Sequence, residues 1–366
     1  MFKSYKKFIL FSLLAPLPFI FILFALLYIR DPFWFFHKPY FREESFMRDM
    51  RMQAKGIILY KEFDSIIMGT SMLENTSAKE ASEKLGNKWM NLSMSGSRFA
   101  ERFVVLNYIF NHKNIKNIIY SLDAMHLNTK KNTNNSFVKV YNNNAFDDFS
   151  IYLSKKFIIC ALTFSSKEDC IGVKDLDTLV NWHERNKSKF GGIENWDNKI
   201  LNNKNLKENI LQAEEIRFFD TDILELKNYT EKYLLNLIEA NPNMNFHLII
   251  PTYSRMAYKI YHTYNTNGEL FSNYYALISF IVKKTSKYPN VKIYGFDNLN
   301  YADDITNYKD PIHYNIDMNS IQLDAIKNGT HILTPQNMDK YFKTMEEKIR
   351  SYDLTPFVEY IKKQET

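Results

Sequence analysis

Apolar positions fall into runs of different length and period along this chain. From 8 to 29, FILFSLLAPLPFIFILFALLYI contains no charged side chain. At about 1.5 Å per residue, a helix of that length crosses a hydrocarbon layer about 30 Å thick. Farther on, FDSIIM (63–68), KWMNLS (88–93) and IKNIIYSLD (115–123) are short β-leaning runs. Between them, ENTSAKEASEKL and SRFAERFVVLNYIFNH carry apolar residues at helical spacing. The rhythm returns as a helix over about 222–240, NFHLIIP as a buried strand, a helix over about 269–286, and NVKIYGF as the last strand. Strand alternating with helix predicts an α/β fold on a parallel sheet. Between the two halves, residues from about 125 to 220 are rich in Asn, Lys and aromatics, and read as a mostly helical insertion suited to a lid or substrate wall.

The first run sets the expected organisation. Lys3, Lys6 and Lys7 precede it, so the positive-inside bias keeps a short tail (1–7) in the cytoplasm and sends the chain after Arg30 outward. A cleaved signal peptide is the competing reading, but the run exceeds the usual apolar region of about 7–15 residues and no small-x-small site follows it. The expectation is a retained anchor over 8–29, kinked at Pro16 and Pro18, with Phe33, Trp34, Phe35 and Phe36 settling at headgroup depth. A membrane-proximal connector (30–60), one α/β domain (61–350) enclosing the insertion, and a C-terminal tail (351–366) complete the division. The bulk of the protein is then extracytoplasmic, on an inner membrane.

Composition adds exclusions. With 366 residues, 45% hydrophobic and 16% aromatic, the chain can bury a large core, and no repeat period points to a solenoid or propeller. The net charge of +6 comes from 47 basic and 41 acidic residues spread along the chain, which gives nucleic-acid binding little support. Cys160 and Cys170 are the only cysteines. In an oxidising compartment they can close a short loop, or stay as two buried thiols; no other Cys or His stands at zinc spacing around them.

In open α/β sheets, ligands bind beyond the carboxyl ends of the strands. Four segments end there: GTS (69–71 with Gly69 and Ser71), NLSMSGS, SLD, and a late loop holding DPIH. Ser71 is expected where strand gives way to helix, its N–H and the positive helix end favouring an oxyanion. The plainer reading makes GTS an ordinary helix cap. NYKDPIHYN places Asp310 three residues before His313, so the carboxylate can fix the imidazole tautomer while the other nitrogen takes a proton from serine. His247, inside NFHLIIP, reads as a core histidine, and Arg98 with Glu101 as a helix-face ion pair.

GTS early and DxxH late resemble the blocks of the SGNH hydrolase superfamily, across roughly 60–330. That resemblance implies a flavodoxin-like three-layer sandwich. It also implies Ser71 as nucleophile, His313 as general base, Asp310 as its orienting partner and Gly96 as an oxyanion donor, with no metal or cofactor. More narrowly, NLSMSGSRFAE followed by IIYSLDAMHLN is similar to membrane-anchored SGNH-like proteins of bacterial envelope polysaccharide and teichoic-acid modification, the D-alanyl-transfer protein of lipoteichoic acid among them. Those work beside membrane-bound O-acyltransferases, so the implied partners are a surface glycan or acylated carrier and such an acyltransferase. Two departures stand out: GTS replaces the usual GDS, and Asp123 stands where hydrolytic members offer an Asn. An ionised Asp donates no hydrogen bond. Asp123 is then a substrate-binding or architectural residue, and Asn75 or Asn128 is the replacement donor. An O-acyltransferase or esterase is expected; the alternatives are a non-catalytic accessory protein that binds glycan or acyltransferase, and a structural anchor whose insertion mediates assembly.

Overall fold

The computed structural model describes residues 2–123, 137–142, 144–164, 168–211, 223–263 and 269–365. It is a mixed α/β fold with a mostly parallel sheet and many helices. Two compact units divide the chain: 1–62 with 134–179, and 63–133 with 180–366.

The second unit holds the sheet. Its strands are β1 (Ser65–Met68), β2 (Trp89–Asn91), β3 (Asn117–Ser121), β4 (Asn245–Ile249), β5 (Val291–Tyr294) and β6 (Ile332–Leu333), in the spatial order β2-β1-β3-β4-β5-β6. The first five are parallel and β6 runs antiparallel to β5. β1 and β3 are buried along their whole length, as expected of parallel strands covered on both faces, which read as continuous apolar runs. From β1 the chain steps to β2 on one side and then to β3 on the other. This reversal opens a crevice at the carboxyl ends of β1 and β3.

The helix predicted near 222–240 is Leu224–Thr230 continued through a π turn (Glu231–Leu235) into Asn236–Ala240, and the later one is Glu269–Thr285. β6 escaped the sequence reading because two residues carry no period. The segment expected as a tail instead carries the helix Thr355–Glu365, whose Phe357 and Ile361 are buried with Trp196, Leu206, Ile210, Met256 and Ile260. His247 lies half-buried on β4 and shares a hydrogen bond of 3.2 Å with the Tyr294 hydroxyl.

Burial, helped by the Lys292 charge, pulls the His247 imidazole from 6.5 down to about 4. The unfolded chain therefore takes up this proton first. The associated stability is complete above about pH 6.5 and is lost as pH falls toward 4. Allowing for solvent screening, the loss is on the order of 2 kcal/mol. Urea midpoints at pH 7 and 4.5 check this: His247→Gln is expected to narrow the gap between them.

In the first unit, one helix, Tyr5–Arg30, is long and apolar enough to cross a membrane, and none of its apolar window is buried. Pro16 and Pro18 lack N–H groups, and the helix divides there into Phe2–Leu14 and Leu17–Arg30. Asp31 closes it in the left-handed region, and its carboxylate accepts the N–H groups of Phe35, Phe36 and His37 together with the Tyr152 hydroxyl. This corrects one expectation. Phe33, Trp34 and Phe35 are buried, stacked among Tyr152, Phe157 and Phe46, because the tight turn around Asp31 folds them inward. Tyr40 and Phe41 are the exposed rings instead. Gly56 permits the turn to pack: a Cβ there would lie 2.1 Å from the Phe33 carbonyl oxygen.

Cys160 and Cys170 are joined in a disulfide that closes a loop of sequence separation 10. Closing so short a loop restricts the unfolded chain by roughly 2–3 kcal/mol. The double variant Cys160→Ala/Cys170→Ala is expected to lower the denaturation midpoint correspondingly in non-reducing buffer and to make it indifferent to dithiothreitol.

Candidate active site

β1 ends at Met68 and the chain enters a run of turns through Thr76. Gly69 is obligatory there, since a Cβ would lie 2.7 Å from Ser121 Oγ and 2.8 Å from the Leu73 side chain. The next helix, Ala78–Leu85, begins seven residues beyond Ser71, and its N-cap is Ser77, whose hydroxyl accepts the Glu80 N–H. The expected strand-to-helix junction at Ser71 is thus corrected: the helix that follows β1 begins only at Ala78, so its N-terminus does not lie at Ser71. Side chains fix the turns instead. Trp182 Nε1 donates to the Ser71 carbonyl (2.9 Å), Tyr314 and Asn319 donate to that of Met72, and Asn91 donates to those of Leu73 and Thr76.

Across from this turn, Ser71 Oγ lies 2.8 Å from His313 Nε2. The other ring nitrogen, Nδ1, lies 2.7 and 2.9 Å from the two Asp310 oxygens. With Nδ1 protonated against the carboxylate, Nε2 is left as an acceptor for the serine hydroxyl. Ser71 and His313 are half-buried, so a substrate can reach them. Asp310 is buried, and its Oδ1 also accepts the backbone N–H groups of Ile312 and His313. Burial alone raises this carboxyl, but His313 and Lys309, with Lys309 Nζ at 2.7 Å, outweigh it and hold Asp310 well below the usual carboxylate range. The loop itself is pinned by Ser254, donating to the Pro311 carbonyl, and by Tyr308, donating to that of Thr252.

Gly96 sits in a turn with φ of +63°, a conformation that favours glycine, and is half-buried. Among the described residues, neither its N–H nor that of Ser71 donates to a protein acceptor. Asn75 is buried. Its Oδ1 accepts the N–H groups of Trp182 and His183, while its Nδ2 has no partner among the described residues. Asn128, the other replacement candidate, lies outside the described residues.

Asp123 is buried. Its carboxylate takes hydrogen bonds from Thr70 Oγ1, Ser121 Oγ and the Arg102 guanidinium (2.6 Å), and both members of the ion pair are sealed from solvent. These partners are those of the architectural role among the two expected for it. Arg102 also donates to Ser97 and to the Ser121 carbonyl, and Ser97 Oγ donates to the Gly69 carbonyl. One buried guanidinium therefore ties together the loops that follow β1, β2 and β3. Sequence reading passed over Arg102, because helix position alone does not distinguish a fully buried arginine from the half-buried Arg98 one turn before it. Nor is Glu101 only a partner on the helix face: its carboxylate accepts the backbone N–H of Arg98 and caps the helix.

Trp182 was legible only as part of an aromatic-rich insertion. Its ring stands edge-on to His313 at 5.4 Å, with Lys309 Nζ 4.8 Å above it.

No family model matches the sequence. No curated protein matches it either. Among solved structures, a Streptococcus pneumonia protein provisionally named a platelet activating factor aligns over 76% of this chain and 90% of its own, at 12% identity and a TM-score of 0.38. So low a likeness carries no argument about activity.

Proposed function

We propose that this chain is a membrane-anchored serine acyltransferase or esterase of the SGNH type, with its sheet in the flavodoxin-like order and its catalytic face outside the cytoplasm. The observation that carries the reading is the unbroken array Ser71–His313–Asp310. Ser71 Oγ attacks an acyl carbonyl while His313 Nε2 takes its proton. Asp310 holds the imidazolium, and the proton passes to the departing alkoxide. The acyl-serine is then resolved by a second hydroxyl or by water, with His313 as base. The N–H groups of Ser71 and Gly96 and Asn75 Nδ2, none of which has an acceptor among the described residues, are the donors assigned to the oxyanion.

Asp123, as a carboxylate locked to Arg102, is itself no donor to an oxyanion. An envelope glycan as acceptor rests on the resemblance of NLSMSGSRFAE and IIYSLDAMHLN. The lysines before the apolar helix and the disulfide between Cys160 and Cys170 support an outward, oxidising location.

A serine-reactive fluorophosphonate tests the reading. Labelling at Ser71 is expected, and it should vanish in Ser71→Ala and in His313→Ala. A folded wild-type protein that stays unlabelled under conditions that label a control esterase overturns catalysis and leaves the accessory role, which the sealed Asp123 favours.

A further inference from the structure

The unit built from 1–62 and 134–179 contains a cavity of about 420 Å³ that takes no part in the chemistry above. Leu26 and Ile29, from the last turns of the membrane-length helix, form one side of it, and Phe41 and Phe164 form another. Both phenylalanines are strongly exposed, at 87% and 76%. Apolar rings left to solvent in this way mark a surface that meets something apolar.

Two guanidinium groups, Arg30 and Arg42, also line the cavity. Among the described residues neither has a carboxylate at ion-pair distance, and the nearby acids are engaged elsewhere. Glu43 pairs with Lys174 and Glu44 with Lys61, while the Asp31 oxygens are filled by backbone N–H groups and the Tyr152 hydroxyl. Arg42 Nη1 and Nη2 are held by Ser45 Oγ and by the Arg30 and Asp31 carbonyls, which fixes the fork in place, but its Nε is buried without a partner. Burial and the neighbouring Arg30 charge pull the Arg42 guanidinium down to about 10, only partly offset by Asp31, as expected of two cations sharing a site.

The Arg42 Nε–H and the Arg30 guanidinium can both donate to the oxygens of a phosphate diester, and a cation pair at the end of a membrane helix stands at headgroup depth. We propose that this cavity binds an anionic glycerophospholipid, its phosphodiester on Arg30 and Arg42 and its acyl chains along Leu26, Ile29, Phe41 and Phe164. Continuity with the apolar helix selects a lipid over a soluble anion, because the apolar wall of the site runs on into the segment that meets the bilayer. The inference rests on the membrane reading of residues 5–30, and is independent of the chemistry at Ser71.

Native mass spectrometry of the full-length protein in dodecyl maltoside tests it, with dioleoyl phosphatidylglycerol, dioleoyl phosphatidylcholine and inorganic phosphate as probes. Expected is a saturable adduct of one phosphatidylglycerol, retained at least about tenfold better than phosphatidylcholine. Arg30→Gln/Arg42→Gln should lower that retention at least about tenfold. Phe164→Glu, at an exposed position that spares the Arg42 hydrogen bonds, should do the same by placing a carboxylate in the lining of the cavity. Equal retention of the two lipids, full retention in both variants, or equal occupancy by inorganic phosphate would each overturn the lipid site. Alkaline carbonate extraction separates this from its premise: wild-type protein released from membranes defeats the anchor itself, whereas protein that stays embedded but shows no lipid preference defeats the site alone.

Discussion

Asp310→Asn is expected to lower turnover of a chromogenic acyl ester by about 10⁴ while leaving the protein folded, as the equivalent carboxylate-to-amide change does in serine proteases. The reason lies in what surrounds the position. Oδ1 accepts the N–H groups of Ile312 and His313, and the carboxylate meets His313 Nδ1 at 2.7 Å, so Asn can keep the loop through its carbonyl oxygen. Its NH2 group, facing His313 Nδ1, then forces the ring proton onto Nε2, which can no longer accept from Ser71. Lys309 Nζ, 2.7 Å from the native carboxylate, is left beside a neutral group and adds positive charge next to the imidazole. Fluorophosphonate labelling at Ser71 should slow in parallel. A fall of less than tenfold in both measurements, with unchanged circular dichroism, would remove Asp310 from the mechanism.

Arg102→Met is expected to destabilise the sheet unit by about 3–5 kcal/mol, the cost of leaving one member of a buried ion pair without its partner. Asp123 keeps only two hydroxyl donors in that variant, and the carbonyls of Ser97 and Ser121 lose their donor as well. Because the same guanidinium joins the three loops that carry Ser71, Gly96 and Asp123, the site should loosen before the whole unit melts. Serine labelling should therefore fall at temperatures where far-ultraviolet dichroism is still native. The double variant Arg102→Met/Asp123→Leu, which removes the orphaned charge, should recover most of the stability but not the labelling. If Arg102→Met alone melts within about 1 kcal/mol of wild type, the buried pair has no such role.

The sequence alone determined the parts whose signal is local. A charge-free run long enough for a bilayer appears within the apolar helix Tyr5–Arg30, and short apolar runs at strand spacing appear as β1, β2, β3, β4 and β5. The spacing of Asp310 and His313 within one loop already allowed their pairing, because three residues of turn bring the two side chains together. Tertiary structure decided the rest. Ser71 and His313 are separated by 242 positions, and their contact of 2.8 Å exists only because parallel pairing sets the ends of the strands at one rim. Whether Phe33 and Trp34 meet lipid or a protein core, and whether Asp123 faces a ligand or an arginine, are questions of burial, and a residue's type does not fix its neighbours. Period and spacing act along the chain, whereas burial and charge pairing act between segments that the chain brings together only once it has folded.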